Sequence, residues 1–111
     1  MKTTVILDFE IEGFHRYPNP PKEVLFLQYL HRHLFQIRVG FKVDDLNREK
    51  EIFIEERKIK KYLYSVFGSP CNFDNMSCEH IAVNILHFIQ DQGGVWVEVF
   101  EDSKGGAKVE L

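Results

Sequence analysis

His31-Arg32-His33 sets two imidazoles one residue apart, and a third histidine, His15, lies upstream. In an extended segment alternate side chains share a face, so His31 and His33 point to one side and Arg32 to the other. An antiparallel pairing between the segment ending near His15 and the one starting near His31 would bring all three rings together. Three neutral imidazoles with a fourth position left for water or substrate are the donor set of catalytic rather than structural zinc. Spacing alone also fits two surface histidines that bind nothing, so the elements around them must decide.

Those elements are legible from hydropathic period. Thr3 to Glu12 ends in strict alternation, Leu7-Asp8-Phe9-Glu10-Ile11-Glu12, the pattern of a half-buried strand, and His15 stands just past it. Tyr17-Pro-Asn-Pro-Pro21 then breaks regular structure, because proline fixes φ and removes a donor. From Leu34 to Val43 the chain alternates again, with Phe35, Ile37, Val39, Phe41 and Val43 on one face and Gln36, Arg38 and Lys42 on the other.

Ile52-Phe53-Ile54 suits either a short strand or the lead into a helix. Ile59, Tyr62, Leu63, Val66 and Phe67 recur at helical spacing, acids precede bases as the helix dipole favours, and Gly68-Ser-Pro70 stops the run. A second helix starts near Ser77, carries Ile81, Ile85, Leu86, Phe88 and Ile89 on its apolar side, and ends at Gly93-Gly94. Val95 to Phe100 and Ala107 to Leu111, joined through Ser103-Lys-Gly-Gly106, read as a closing hairpin. Strands at both ends of the sequence around two central helices predict an α+β fold, an antiparallel sheet with its helices on one face. Such a sheet has open edges, and oligomerisation is one way to close them.

Composition narrows the partners. A chain of 111 residues, 44% apolar and 28% charged, has the length and balance of a single folded domain over residues 1–111. The net charge of -3 and the interleaving of bases with acids give no nucleic-acid footprint. No segment approaches the roughly 18–20 apolar residues of a membrane span, and the first residues lack a signal peptide's apolar stretch. With only Cys71 and Cys78, too few for a disulfide scaffold, a cytoplasmic location is expected.

Three stretches in order carry a family resemblance. Phe9-Glu-Ile-Glu-Gly-Phe-His15 followed by Leu30-His-Arg-His-Leu-Phe35 resembles the strand-end pattern of the tetrahydropterin synthase-like group. Ser77-Cys-Glu-His-Ile-Ala82 is similar to that group's Pro-Thr-Ser-Glu-Asn-Leu-Ala at a helix start, and Val97-Glu-Val-Phe-Glu101 to its closing strand. The group includes 6-pyruvoyl-tetrahydropterin synthases and the 6-carboxy-tetrahydropterin synthases of queuosine-precursor synthesis.

The resemblance implies the tunnelling fold, a four-stranded antiparallel sheet with two helices on one side. It further implies homo-oligomers with sites at subunit interfaces, Zn2+ on His15, His31 and His33, and a pterin or purine-like ligand. Glu79 would anchor that ligand's amino-pyrimidine edge with Glu101 in support, since an ionised carboxylate offers two acceptors to two parallel N–H donors. By position alone Glu79 is also an ordinary first-turn helix acid.

The sequence departs from the group where protons are moved. The usual catalytic cysteine position holds Leu27, and the segment that usually carries Asp-His falls near Val66-Phe67-Gly68. General acid–base work needs a positioned donor and acceptor. His80, His87, Cys71 and Cys78 are the nearby substitutes, although each is equally ordinary as a surface histidine or an inert thiol. Arg32, where the group has glycine, would crowd the metal or offer a guanidinium to a phosphate. Two readings follow: a divergent lyase acting on a pterin-type substrate, or a non-catalytic pterin- or nucleotide-binding protein that keeps the pocket without the proton-transfer groups.

Overall fold

The alternating segments become long strands in the computed structural model, which describes residues 1–111. Strand β1 runs Thr3–His15 and β2 runs His31–Val43. Both reach further toward the histidines than alternation predicts, because residues 13–15 find partners in residues 31–33 and the ladder continues through them. The connection between them is the proline-rich loop followed by a 3-10 segment, Lys22–Gln28. Helix α1 spans Ile52–Phe67, so Ile52-Phe53-Ile54 is helical. Its first turn is capped by the Glu51 carboxylate, which accepts from the Ile54 amide at 2.8 Å. Gly68, at φ 91°, ends it, a conformation that favours glycine.

Two residues, Cys71–Asn72, form β3. Helix α2 then spans Cys78–Ile89 behind a Ser77 cap, whose hydroxyl accepts from the His80 amide at 3.1 Å. A 3-10 turn, Gln90–Gln92, completes the descent to Gly93. Strands β4, Gly94–Glu101, and β5, Gly105–Glu110, make the closing hairpin.

The sheet order is β3-β1-β2-β4-β5. Its four long strands pair antiparallel, as expected, and the correction is the fifth: β3 adds to β1 in parallel through Gly13 and Phe14. A two-residue segment has no readable period, so only tertiary pairing reveals it. Both helices lie on the same face. Phe35, Ile37, Val39 and Phe41 on β2, Leu7, Phe9 and Ile11 on β1, and Val97 and Val99 on β4 meet Ile59 and Leu63 of α1 and Ile81, Ile85 and Ile89 of α2 in one buried cluster. Tyr62 ties the helices together, stacking on Phe88 and donating to Asn84 at 2.6 Å. No helix is long and apolar enough to cross a membrane.

Candidate metal centre

The register of β1 against β2 sets the site. His15 pairs with His31, and His33 pairs with Gly13, so the buried face of the sheet ends in three imidazoles. The absence of a side chain at Gly13 is required there, since a Cβ would stand 2.9 Å from the Phe73 ring. Ring centroids are 4.7 Å apart for His15 and His31, 5.1 Å for His15 and His33, and 4.8 Å for His31 and His33. Phe35, fully buried, meets His15 and His33 edge-on from below. The last core residue of β2 therefore serves as the floor of the polar cluster.

Each imidazole is oriented by its Nδ1. His15 Nδ1 donates to the Met76 carbonyl at 2.9 Å, His31 Nδ1 to the Tyr29 carbonyl at 2.9 Å, and His33 Nδ1 to the Asp102 carboxylate at 2.7 Å. Outer-shell acceptors of this kind select the tautomer whose Nε2 carries the lone pair. One nitrogen from each ring lies within 4.8 Å of the other two. His33 Nε2 is buried without a hydrogen-bond partner, and no other buried side-chain nitrogen or oxygen in the protein is left so. A buried orphan of this kind costs about 1–3 kcal/mol unless something fills it. Burial is the largest influence on His15 and lowers its pKa from 6.5; His31 and His33 add to the lowering, while the Met76 carbonyl and Glu101 oppose it. The neutral ring favoured by burial is the form that ligates a metal. These donors fit zinc.

The closing hairpin supplies the carboxylates. Glu101 Oε1 is 3.0 Å from His15 Nε2, and Oε2 is 3.6 Å from His33 Nε2. The next residue, Asp102, holds His33 through one oxygen and accepts from the Leu34 amide through the other at 2.9 Å. These two bonds, that from His33 first, hold its carboxyl below the usual carboxylate range. Sequence reasoning missed Asp102. An acid in a polar turn is ordinary, and its role depends on β4 running beside β2 with Glu101 opposite Phe35.

A cleft of about 690 Å³ opens beside the histidines. Glu79, exposed on the first turn of α2, lines it together with His15, His31, His80, Cys78 and Glu101. Leu27, at the matched cysteine position, borders the same cleft. Arg16, also unremarked in the sequence, stands at its edge in a 3.1 Å ion pair with Asp74. Two expected substitutes fall elsewhere, His87 exposed outside the cleft and Cys71 buried beneath the sheet edge, and the Val66-Phe67-Gly68 segment closes α1 away from it. Arg32 neither crowds the histidines nor offers a free guanidinium, because alternation turns it to the opposite face, where it bonds Glu12 at 2.6 Å.

Cys78 donates to Glu101 Oε1 at 3.6 Å, and burial, with Glu101 and Glu79 nearby, pushes its thiol up to about 12. Such a thiol is neither a base nor a ready nucleophile.

Four long antiparallel strands with two helices on one face make up the tunnelling fold of tetrahydropterin synthase-like structures. Among solved structures, the chain is similar to 6-pyruvoyl tetrahydropterin synthase of Caenorhabditis elegans, with a TM-score of 0.65 and 12% identity over 100% of this chain and 96% of that one. It is likewise similar to an uncharacterized protein of Wolinella succinogenes, with a TM-score of 0.66 and 16% identity over 99% of this chain and 98% of that one. At such identities the likeness is one of fold. No protein-family model and no curated protein matches the sequence.

Proposed function

We propose that this protein binds zinc through Nε2 of His15, His31 and His33 and holds a pterin- or purine-type ring in the adjoining cleft. The observation that carries the reading is the set of three Nδ1 atoms, each tied to an oxygen, which leaves three Nε2 atoms for one ion. Bound there, zinc would supply Lewis acidity toward a ligand oxygen. Glu79 receives the amino-pyrimidine edge, its two oxygens matching a ring N–H and an exocyclic amine, and Glu101 supports it.

Binding rather than turnover is the better supported activity. Leu27 borders the cleft where a thiol would be needed, and the thiol that is present, Cys78, stays protonated. Loss of positioned proton transfer costs about a hundred- to ten-thousand-fold in rate. A divergent lyase is the second reading, favoured by His80, a titratable side chain on the cleft wall.

Assembly into homo-oligomers completes the proposal. The edge of β5 and the Thr3–Glu12 edge of β1 have no strand partner within the chain, and Phe26 and Tyr29, 70% and 69% exposed, flank the connection that borders the cleft. Buried, unbridged thiols fit a cytoplasmic setting.

Elemental analysis, calorimetry and light scattering test these statements together. About one zinc per chain is expected in the wild type and none in His31→Ala. Neopterin and guanosine should bind in preference to adenosine, whose mismatched edge costs about 1–3 kcal/mol per polar group, and Glu79→Gln should erase the preference. Folded wild type with no zinc affinity would remove the metal; an unchanged preference in Glu79→Gln would remove the ring assignment; a monodisperse monomer would remove the assembly.

A further inference from the structure

We infer that Glu101 is a fourth protein ligand of the metal, closing the coordination shell until a cleft ligand draws the carboxylate away. The inference rests on the proposal that the three histidines bind a metal.

The first argument is one of lone pairs. In the neutral ring, the form that ligates a metal, His15 Nδ1 carries the proton it gives to Met76, so the Nε2 facing Glu101 is an acceptor, as is the carboxylate oxygen 3.0 Å from it. Two acceptors at that distance repel unless a cation lies between them. The same holds for His33, whose Nδ1 is committed to Asp102 and whose orphaned Nε2 faces the second oxygen at 3.6 Å. No lysine or arginine forms an ion pair with Glu101; the imidazoles of His15 and His33 are its only such partners. The cation the carboxylate lacks and the ion the imidazoles lack are satisfied by one metal.

The second argument is distance. Zinc–nitrogen and zinc–oxygen bonds of about 2.0–2.1 Å in a tetrahedron put ligand atoms about 3.3–3.4 Å apart. Glu101 Oε1 stands 3.0 Å from His15 Nε2 and Oε2 stands 3.6 Å from His33 Nε2, each within a few tenths of an ångström of that edge, with one carboxylate oxygen toward each imidazole. The backbone of Glu101 is also fixed in place, as the last residue of β4, opposite the buried Phe35, and the Cys78 thiol donates to Oε1.

Four protein ligands make a closed site, whereas three leave room for exchange. Glu101 lines the cleft as well, so a ring N–H that recruits this carboxylate would free a coordination position on the metal. Ring binding and metal opening would then be one event.

Cobalt(II) replacing zinc in the purified protein reads this directly. Wild type should give the intense visible absorption of a four-coordinate ion, and thiocyanate, a small exogenous ligand, should leave it unchanged. Glu101→Gln and Glu101→Ala should bind zinc about 100-fold more weakly, at the upper end of what an outer-shell partner contributes. Their cobalt spectra should weaken and respond to thiocyanate. Glu98→Gln removes an equal charge from the same strand, where Glu98 pairs with Arg38, and should behave as wild type.

The inference is overturned if both Glu101 variants hold zinc as tightly as wild type, or if thiocyanate perturbs the wild-type spectrum as it does theirs. The wild-type response alone decides the matter should the variants fail to fold. Cobalt retained by wild type and lost in His31→Ala, with Glu101 variants unaltered, removes the fourth ligand and spares the histidine site. A wild type that takes up no cobalt removes both.

Discussion

Replacing Asp102 separates the orientation of the histidines from the stability of the fold. Its carboxylate accepts from His33 Nδ1 at 2.7 Å and from the Leu34 amide at 2.9 Å, and its backbone sits at φ 51°, where a non-glycine residue is uncommon. In Asp102→Asn the single remaining carbonyl can serve one of those two donors. If the amide nitrogen faces His33, Nδ1 must accept, and the proton moves to Nε2, the atom proposed to bind the metal. Asp102→Gly removes the carboxylate altogether while suiting the left-handed backbone.

Loss of such an outer-shell partner costs about 10–100-fold in metal affinity, or about 1.4–2.7 kcal/mol. The cost to folding is smaller, because the side chain is 47% exposed and water screens what it loses: about 1 kcal/mol or less, a few degrees in Tm. The assay is zinc titration against a chromophoric chelator, with thermal unfolding of the metal-free variants alongside. Zinc affinity within about twofold of wild type in both variants, with Tm preserved, would refute the claim that Asp102 sets the His33 tautomer.

Phe35→Ala should cost about 3–5 kcal/mol, a large share of the roughly 5–15 kcal/mol of a typical domain, because Phe35 is 0% exposed and floors the histidine cluster; a urea midpoint close to wild type would contradict this. Cys71 and Cys78, pushed up to about 11 and about 12 by burial, should resist a thiol reagent at about pH 8 in the native protein and react fully in denaturant. Rapid native labelling would show that the sheet edge or the cleft floor opens. The Asp45 and Asp44 amides, Asp45 foremost, hold the Glu49 carboxyl below its ordinary 4.5. A depressed folded-state pKa contributes stability that is complete above the unfolded value and fades as pH falls through the folded one. The difference in urea stability between wild type and Glu49→Gln should therefore shrink from about pH 7 to about pH 3, and a constant or growing difference would count against it.

Much of this protein was determined locally. Alternation through Leu7–Ile11 and Phe35–Val43 specifies which residues face the core, because a strand's side-chain period of two leaves no freedom once one face is buried. Ser77 and Gly68 mark helix ends by capping chemistry that needs only neighbouring amides. His31 and His33 share a face for the same reason, so two of the three candidate ligands were adjacent before any fold was known.

The rest depended on register between distant strands. Pairing of His15 with His31 extended both strands past their alternating segments, and pairing of Phe35 with Glu101 carried Asp102 to His33 and Glu101 to the Nε2 atoms. Alternation says which way a side chain points and nothing about what stands opposite. Arg32 shows the distinction: its face was set by its position between two histidines, but its partner, Glu12, was supplied by β1. The two-residue strand β3 and the carbonyls of Met76 and Tyr29 have no side-chain signature, because backbone hydrogen-bonding groups are the same at nearly every residue. Tertiary structure alone chooses which of them meets an imidazole.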